Sequence, residues 1–185
     1  MTNTRKMALI PILSAVSFLL MYLKFPLIPA ASFLEIDFSI IPILIGMLVL
    51  DLGSAFSILF LRTVLKFVLH NNGPSTVIGL PMNIAALAVF MVALYVMWSK
   101  KQTLKTYFIA SFMGTIGMTL VMLALNYVYA IPVYAAFANF DIRQILGVNH
   151  YLFAMVLPFN LLEGVIFSLV FYLVYRAGRP ILRKL

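Results

Sequence analysis

An apolar stretch extends almost without interruption from Ile40 to Val68, and it is too long for one membrane crossing. At about 20 residues per crossing, it favours two helices joined at residues 51–54, where a tight helix-to-helix turn fits. The alternative is one long tilted helix, which would separate the two termini. Runs of this length far exceed the strands of a membrane barrel, so the pattern predicts membrane-spanning helices.

The composition agrees with a bilayer environment. Of the 185 residues, 64% are hydrophobic and 10% are charged, whereas soluble domains carry about 25% charged residues. No cleavage site follows the apolar stretch 7–23, which therefore predicts a first helix rather than a signal peptide. Cysteine is absent, which excludes disulfides and thiolate sites. We expect one integral membrane domain, residues 1–185, of the all-α class.

The predicted architecture is a polytopic bundle of six transmembrane helices. These helices are placed near 7–24, 39–51, 53–70, 77–98, 106–129 and 150–175.

Basic residues predict the orientation of this bundle. With six helices, one side receives Arg5, Lys6, Lys100, Lys101, Lys105, Arg176, Arg179, Arg183 and Lys184. The positive-inside rule then places both termini in the cytoplasm of a multi-pass protein of the bacterial plasma membrane. The net charge of +8 is explained by topology and requires no nucleic acid. The opposite side receives the segments 25–38, 71–76 and 130–149, where a ligand would first arrive.

Two cations lie inside the third predicted helix. Arg62 and Lys66 are one turn apart and share a face. One interpretation is that Lys66 snorkels to the outer interface while Arg62 pairs with Asp51 or Glu163. The other is that both cations form a polar wall of a ligand cavity.

Two asparagines and a glutamate are costly in apolar spans and need a physical reason. Asn126 offers donors and an acceptor, which suits either the polar edge of a heterocycle or a contact between helices. Asn160 and Glu163 follow Pro158 and share one helix face. Proline frees a backbone carbonyl there, so the pattern favours a cavity at this point.

Two further segments favour a site on the outer side. The first outer loop carries two prolines, two carboxylates and three phenylalanines in residues 25–39, which favours a segment folded back over the bundle. Asp37 or Ser39 is also suited to cap the second helix. At the start of the fourth helix, Gly79, Pro81 and Asn83 interrupt the apolar pattern, where backbone groups could face a cavity.

Several chemistries find no support. No GxxxxGK[ST] motif for ATP hydrolysis occurs. His70 and His150 stand apart without metal-ligand spacing, so no metal site is predicted. Nothing in the sequence fixes a catalytic Ser/His/Asp arrangement, and we assign no catalytic residue and no cofactor.

The sequence resembles a known family in several segments. Phe25-Pro26 followed by FLEIDFSIIP at residues 33–42 resembles the FPxxP…FLxxDxSDxP signature of riboflavin-specific substrate-binding (S) components of energy-coupling factor (ECF) vitamin transporters. The Asn126 region and PFNLLEG at residues 158–164 are similar to ligand-binding stretches of that family. The chain departs from the pattern at Glu163, where relatives often have Lys.

This resemblance implies a protein that binds riboflavin with high affinity near the outer surface and does not hydrolyse ATP. Delivery would use an ECF transmembrane coupling subunit carrying two ATPase subunits. The substrate-binding residues implied are Leu34, Glu35, Asp37, Gly79, Asn83, Asn126, Asn160 and Glu163. A small-xxx-small coupling motif on the first helix is best matched by Pro11 and Ala15.

Other functions are distinguishable by experiment. An S component for another vitamin or small heterocycle would differ in a competition binding panel. A membrane-embedded enzyme would need reactive groups near Glu163, Arg62 and Asn160. A structural subunit would bind no small molecule.

Overall fold

The structure, a computed structural model, describes residues 3–182 and is predominantly helical. Its α-helices are α1 (Asn3–Leu20), α2 (Ile40–Val49), α3 (Leu52–Leu69), α4 (Pro74–Trp98), α5 (Leu104–Leu125), α6 (Ile131–Phe137), α7 (Ile142–Ile145) and α8 (Leu157–Leu182). Two π-helical segments, Asn126–Ala130 and His150–Val156, join α5 to α6 and lead into α8. The all-α class predicted from the sequence is confirmed.

Four stretches within residues 3–182 are long and apolar enough to cross a membrane. They are Leu52–Leu69, Pro74–Trp98, Leu104–Phe137 and His150–Pro180. The apolar helix α2 has only 10 residues, about 15 Å against a hydrocarbon layer of about 30 Å. The number of six crossings and the side of each terminus therefore stay predictions.

The predicted break in the long apolar run lies at Asp51. Its carboxylate accepts a hydrogen bond of 2.7 Å from the Ser54 amide and caps the first turn of α3. A capping carboxylate satisfies an amide that has no partner within the helix, so the chain begins a new helix here. The interpretation as one long tilted helix was wrong.

The predicted outer segment 130–149 is shorter than expected. The fifth helix was predicted to end near residue 129, but helical structure continues through the π-helical segment and α6 to Phe137. Pro132 did not end the helix because the π-helical segment directly before it shifts the hydrogen bonding, with the Ile131 amide donating to the Asn126 carbonyl five residues back, so that a residue without an amide is accommodated there.

The first outer loop forms a small hairpin. Strands β1 (Phe25–Pro26) and β2 (Glu35–Ile36) pair antiparallel, with Phe25 opposite Ile36. A 3₁₀ turn at Pro29–Ala31 lies between the strands. Asp37, rather than the Ser39 side chain, makes the turn into α2, since its carboxylate accepts a 2.7 Å hydrogen bond from the Ser39 amide.

The helices pack around one main apolar cluster. Leu44 of α2, Ile58 of α3, Phe90 of α4 and Phe171 of α8 are fully buried in it. Close approach of α5 and α8 depends on Gly164, where a Cβ atom would lie 2.5 Å from the Thr115 hydroxyl. Small residues of this kind let membrane helices gain dispersion contacts that lipid would otherwise supply.

The helices run alternately between two ends of the bundle. One end, the cavity end, carries the hairpin, the α3–α4 connection and the start of α8, which all line one cavity. The other, the basic end, is defined by Arg5, Lys6, Lys100, Lys101, Lys105, Arg176 and Arg179. There Lys6 forms an ion pair with Asp51, and Tyr175 donates a hydrogen bond to Gln102. Arg183 and Lys184 lie outside the described residues.

Candidate functional site

A cavity of about 650 Å³ opens at the cavity end. This volume falls in the range of sites for small organic ligands, about 300–1,000 Å³. Its wall is built by the end of α1, the β1–β2 hairpin, the α3–α4 connection, the end of α5 and the start of α8. All of these segments must fold together before the cavity exists.

The eight residues predicted to bind substrate all line this cavity. They are Leu34, Glu35 and Asp37 of the hairpin region, Gly79 and Asn83 of α4, Asn126 at the end of α5, and Asn160 and Glu163 of α8. The structure therefore brings together residues that are up to 129 positions apart, from Leu34 to Glu163. Their contacts with a ligand stay predictions.

Asn160 presents an unpartnered acceptor in this wall. Its Nδ2 donates a 2.8 Å hydrogen bond to the Val156 carbonyl, while its Oδ1 is buried and accepts no hydrogen bond from any described residue. Only 1% of Asn160 is exposed. A buried carbonyl oxygen without a donor costs free energy of about 1–3 kcal/mol. Asn160 is thus suited to accept a hydrogen bond from a ligand N–H group.

Asn126 serves as a contact between helices and also faces the cavity. Its Nδ2 donates to the Met122 carbonyl at 2.8 Å, and its Oδ1 accepts a 2.5 Å hydrogen bond from the Tyr151 hydroxyl. The π-helical segment begins at this residue, and π-bulges inside helices are frequent at functional sites. The sequence left open whether Asn126 contacts the polar edge of a heterocycle or holds helices together, and this geometry is compatible with both.

Charged side chains of both signs surround the cavity. Lys24 forms an ion pair with Glu35 across the hairpin, and both residues line the cavity together with Asp37, Lys66 and Glu163. The Lys66 ammonium lies 5.6 Å from the centre of the Tyr22 ring, a distance typical of a cation–π contact. Lys66 therefore belongs to the cavity wall.

The predicted pairing of Arg62 with Asp51 or Glu163 was wrong. Asp51 pairs with Lys6 at the basic end. Arg62 is fully buried, donates a 2.9 Å hydrogen bond to Asn83 Oδ1 and contacts the Met21 sulfur at 3.3 Å. It does not line the cavity. Arg62 instead lies behind Asn83 and fixes the orientation of that amide, since a charged donor favours its carbonyl oxygen over its NH₂ group.

Sequence reasoning missed an aromatic part of the wall. Tyr134 and Tyr151 line the cavity. Tyr134 lies in the segment 130–149 that was predicted to be an outer loop, where no helix face could be assigned, and Tyr151 lies at the start of the sixth predicted helix, 150–175. Phe33 stacks on Tyr151 with ring centres 6.2 Å apart and planes inclined by 26°. The aromatic residues of the first loop were the one visible signal for this surface.

The two residues assigned to partner coupling lie elsewhere. Pro11 and Ala15 are exposed on α1 and are not part of the cavity. An exposed small residue on a membrane helix permits close approach of another helix. Their coupling role stays a prediction. Within the described chain, no group of three or more His, Cys, Asp or Glu side chains is placed to hold a metal ion.

Comparison with known proteins identifies the family. The sequence profile of the family described as "ECF transporter, substrate-specific component" matches residues 5–175. This chain belongs to that family. The S components are parts of a membrane transporter, so the protein is a multi-pass membrane protein and the interpretation as an enzyme is set aside.

Individual relatives match 94% or more of this S component. The riboflavin transporter RibU of Streptococcus thermophilus is 58% identical over 185 residues, covering 100% of this chain and 88% of its own length. RibU of Lactococcus lactis subsp. cremoris is 44% identical, covering 94% and 93%. A solved structure, described as the S component of a bacterial ECF transporter, has a TM-score of 0.80 and 25% sequence identity, covering 98% and 99% of the two chains.

Proposed function

We propose that this S component binds riboflavin in the 650 Å³ cavity and presents it for import. The observation that carries the proposal is the buried, unpartnered Oδ1 of Asn160. The isoalloxazine ring of riboflavin has an imide edge, with one N–H donor between two carbonyl acceptors. Asn160 Oδ1 accepts from the imide N–H, and this bond removes the cost of the unsatisfied oxygen.

Other parts of the cavity suit the rest of the ligand. The aromatic surface formed by Phe33 and Tyr151 packs against the tricyclic ring. Asn126, placed beside Tyr151, supplies polar contacts to the ring edge, and the hairpin residues Leu34, Glu35 and Asp37 cover the ligand. The names of the two relatives compared above, both riboflavin transporters, support this choice of vitamin.

The proposed topology has six crossings with both termini in the cytoplasm. Three features support it: the alternation of α1, α2, α3, α4, α5 and α8 between the two ends, the cluster of cations at the basic end, and the positive-inside rule. The cavity end then faces outward, where the vitamin arrives. The short helix α2 completes its crossing with the adjoining residues of the hairpin and the turn at Asp51.

The proposed partners supply the energy for import. We assign the transmembrane coupling subunit to the exposed face of α1 that carries Pro11 and Ala15, and two ATPase subunits bind that coupling subunit. The sequence of this chain contains no ATP-binding P-loop motif. Co-purification of the two ATPases with a tagged form of this chain tests the assembly.

The absorption spectrum of the purified protein tests the ligand. Protein from riboflavin-rich cells should be yellow and carry a flavin spectrum. Protein that neither carries flavin nor binds it at submicromolar concentration would refute the proposal. A competition panel of other vitamins and small heterocycles then identifies the ligand if flavin fails.

A further inference from the structure

A second, smaller cavity lies at the basic end of the bundle. Its volume is about 150 Å³. The end of α4, the α4–α5 connection and the last turns of α8 enclose it. It is far too small for a flavin and lies at the end of the bundle opposite to the large cavity.

Trp98 forms the buried wall of this cavity. Only 1% of Trp98 is exposed, and its ring is held against Tyr175 at 4.9 Å and Tyr107 at 5.0 Å between ring centres. Its indole Nε1 is buried and donates to no acceptor of the described chain. Buried indole N–H groups usually have a partner, so this donor is suited to an oxygen atom from outside the chain.

Two arginines add further donors to the same cavity. Arg179 and Arg176 both line it, and the Nε of Arg179 is buried and likewise lacks an acceptor among the described residues. Arg176 lies over the Tyr172 ring at 6.0 Å. Arginine has five N–H donors and no acceptor, and its fork matches phosphate oxygens.

The acceptors in the lining of this cavity are neutral, and one of them, the Tyr172 hydroxyl, already accepts a 3.5 Å hydrogen bond from Arg176. No Asp or Glu lines it, and the ion pairs found within residues 3–182 are Lys6–Asp51 and Lys24–Glu35. The side-chain oxygen of Gln102 already accepts a 2.8 Å hydrogen bond from Tyr175. The cavity therefore has an excess of positive charge and of unsatisfied N–H groups, which an anionic oxygen ligand would balance.

We infer that this cavity binds a phosphate group, that of an anionic phospholipid of the adjacent leaflet. The apolar stretch of α4 ends at Trp98 and that of α5 begins at Leu104, so the cavity lies at the boundary between hydrocarbon and water. Basic pockets between helices at this depth bind anionic headgroups. Leu104 is 52% exposed beside the cavity and provides an apolar surface for an acyl chain.

The fluorescence of Trp98 reports directly on this site, because Trp98 is the only tryptophan in the chain. Ligand-free protein in neutral detergent is titrated with short-chain phosphatidylglycerol, short-chain phosphatidylcholine and inorganic phosphate. A saturable change with phosphatidylglycerol alone supports the lipid. Tighter binding of inorganic phosphate than of phosphatidylglycerol would overturn the lipid assignment and assign the site to free phosphate. Native mass spectrometry of the same samples counts the bound lipids independently of fluorescence.

Variants test whether the lipid binds through the residues of this cavity or through a general attraction of its negative charge to the cations at this end. Arg179→Gln should weaken phosphatidylglycerol binding by about tenfold or more, the value of a hydrogen bond to a charged group. The matched control is Lys105→Gln, an exposed cation at the same end that does not line the cavity. Trp98→Phe keeps the aromatic packing and removes the N–H group, and it should lower lipid retention in native mass spectrometry.

Three further results would overturn the inference. The first is that neither phosphatidylglycerol nor phosphate binds by fluorescence or mass spectrometry. The second is that phosphatidylcholine binds as tightly as phosphatidylglycerol. The third is that Lys105→Gln reduces binding as much as Arg179→Gln. Because none of these measurements uses riboflavin, their outcome is independent of the function of the large cavity.

Discussion

The Tyr151 hydroxyl donates a 2.5 Å hydrogen bond to Oδ1 of Asn126 and thereby ties the segment that leads into α8 to the end of α5. Both residues are buried and both line the large cavity. The bond occupies one lone pair of Oδ1, and the Met122 carbonyl occupies one N–H of the amide. The orientation of Asn126 is thus fixed before a ligand enters, which lowers the entropy cost of binding.

Removing this hydroxyl should weaken riboflavin binding without removing the ring that we propose packs on the ligand. Tyr151→Phe is expected to lower the affinity about 2- to 12-fold, which corresponds to about 0.5–1.5 kcal/mol for one hydrogen bond. Quenching of riboflavin fluorescence on titration measures it. Tyr127→Phe is the matched control, because Tyr127 is 60% exposed and does not line the cavity. Equal affinities for wild type and Tyr151→Phe would argue against preorganisation of Asn126.

Loss of the unpartnered acceptor should have a larger effect. Asn160→Ala leaves the imide N–H of a bound flavin without its acceptor, so we expect a loss of about 1–3 kcal/mol in binding free energy, or about 5- to 150-fold. Asn126→Ala has the same expected range. Asn149→Ala is the control, since Asn149 is exposed and its side chain caps no helix. Isothermal titration with riboflavin measures all three, and wild-type affinity for Asn160→Ala would refute the assigned contact.

The contact between α5 and α8 should not tolerate a methyl group at Gly164. A Cβ atom there would lie 2.5–2.8 Å from three side-chain atoms of Thr115, and overpacking of this kind costs about 1–3 kcal/mol. Gly164→Ala should therefore unfold at a lower temperature in detergent. Thr115→Gly combined with Gly164→Ala should recover part of that loss. Additive losses in the double variant would contradict the steric explanation.

Acid should remove a contribution to stability at the basic end. The hydrogen bond from Lys6, followed by that from the Ser54 amide, lowers the pKa of Asp51 from 3.8 to about 2. A lowered pKa means that the folded state favours the carboxylate, so this stabilisation is complete above about pH 4 and is lost as the pH falls towards 2.

The comparison of wild type with Asp51→Asn isolates this effect, because asparagine keeps the helix cap and removes the charge. The difference between their unfolding temperatures should be constant above about pH 4 and should close between pH 4 and 2. When Lys6→Gln removes the largest cause of the lowered pKa, the difference between the unfolding temperatures with and without Asp51→Asn should be smaller above about pH 4. A difference that persists unchanged to pH 2 would show that the ion pair does not stabilise the fold.

A bulky residue on the exposed face of α1 should separate binding from transport. Ala15→Phe is expected to retain riboflavin affinity, because Ala15 is exposed and remote from the cavity, and to lose uptake, because the partner helix can no longer approach. Leu120→Phe, at a 60% exposed position of α5, is the control for bulk alone. Uptake by Ala15→Phe cells at the wild-type rate would place the coupling surface elsewhere.

Some local features could be predicted because neighbouring residues determine them. The turn at Asp51 follows from a capping carboxylate at the break in an apolar run, and the shared face of Asn160 and Glu163 follows from helical spacing. The extent of the fifth helix was missed, since the local sequence does not show that a π-helical segment before Pro132 accommodates its missing amide. The partner of Arg62 was missed because the choice among Asp51, Glu163 and Asn83 depends on the packing of other helices.

The sequence by itself determined that this chain is helical and lies in a bilayer, because its apolar runs are long enough to span the hydrocarbon layer as helices and are too long for the strands of a membrane barrel. For the apolar residues, only the tertiary structure decided which side chains face inward. Phe60 is 63% exposed and Phe90 is fully buried, although both are phenylalanines in apolar helices. In a membrane, lipid-facing and core-facing surfaces are equally apolar, so composition does not fix the rotation of a helix about its axis. Packing fixes it, and with it the cavity that joins Asn126, Tyr151 and Asn160.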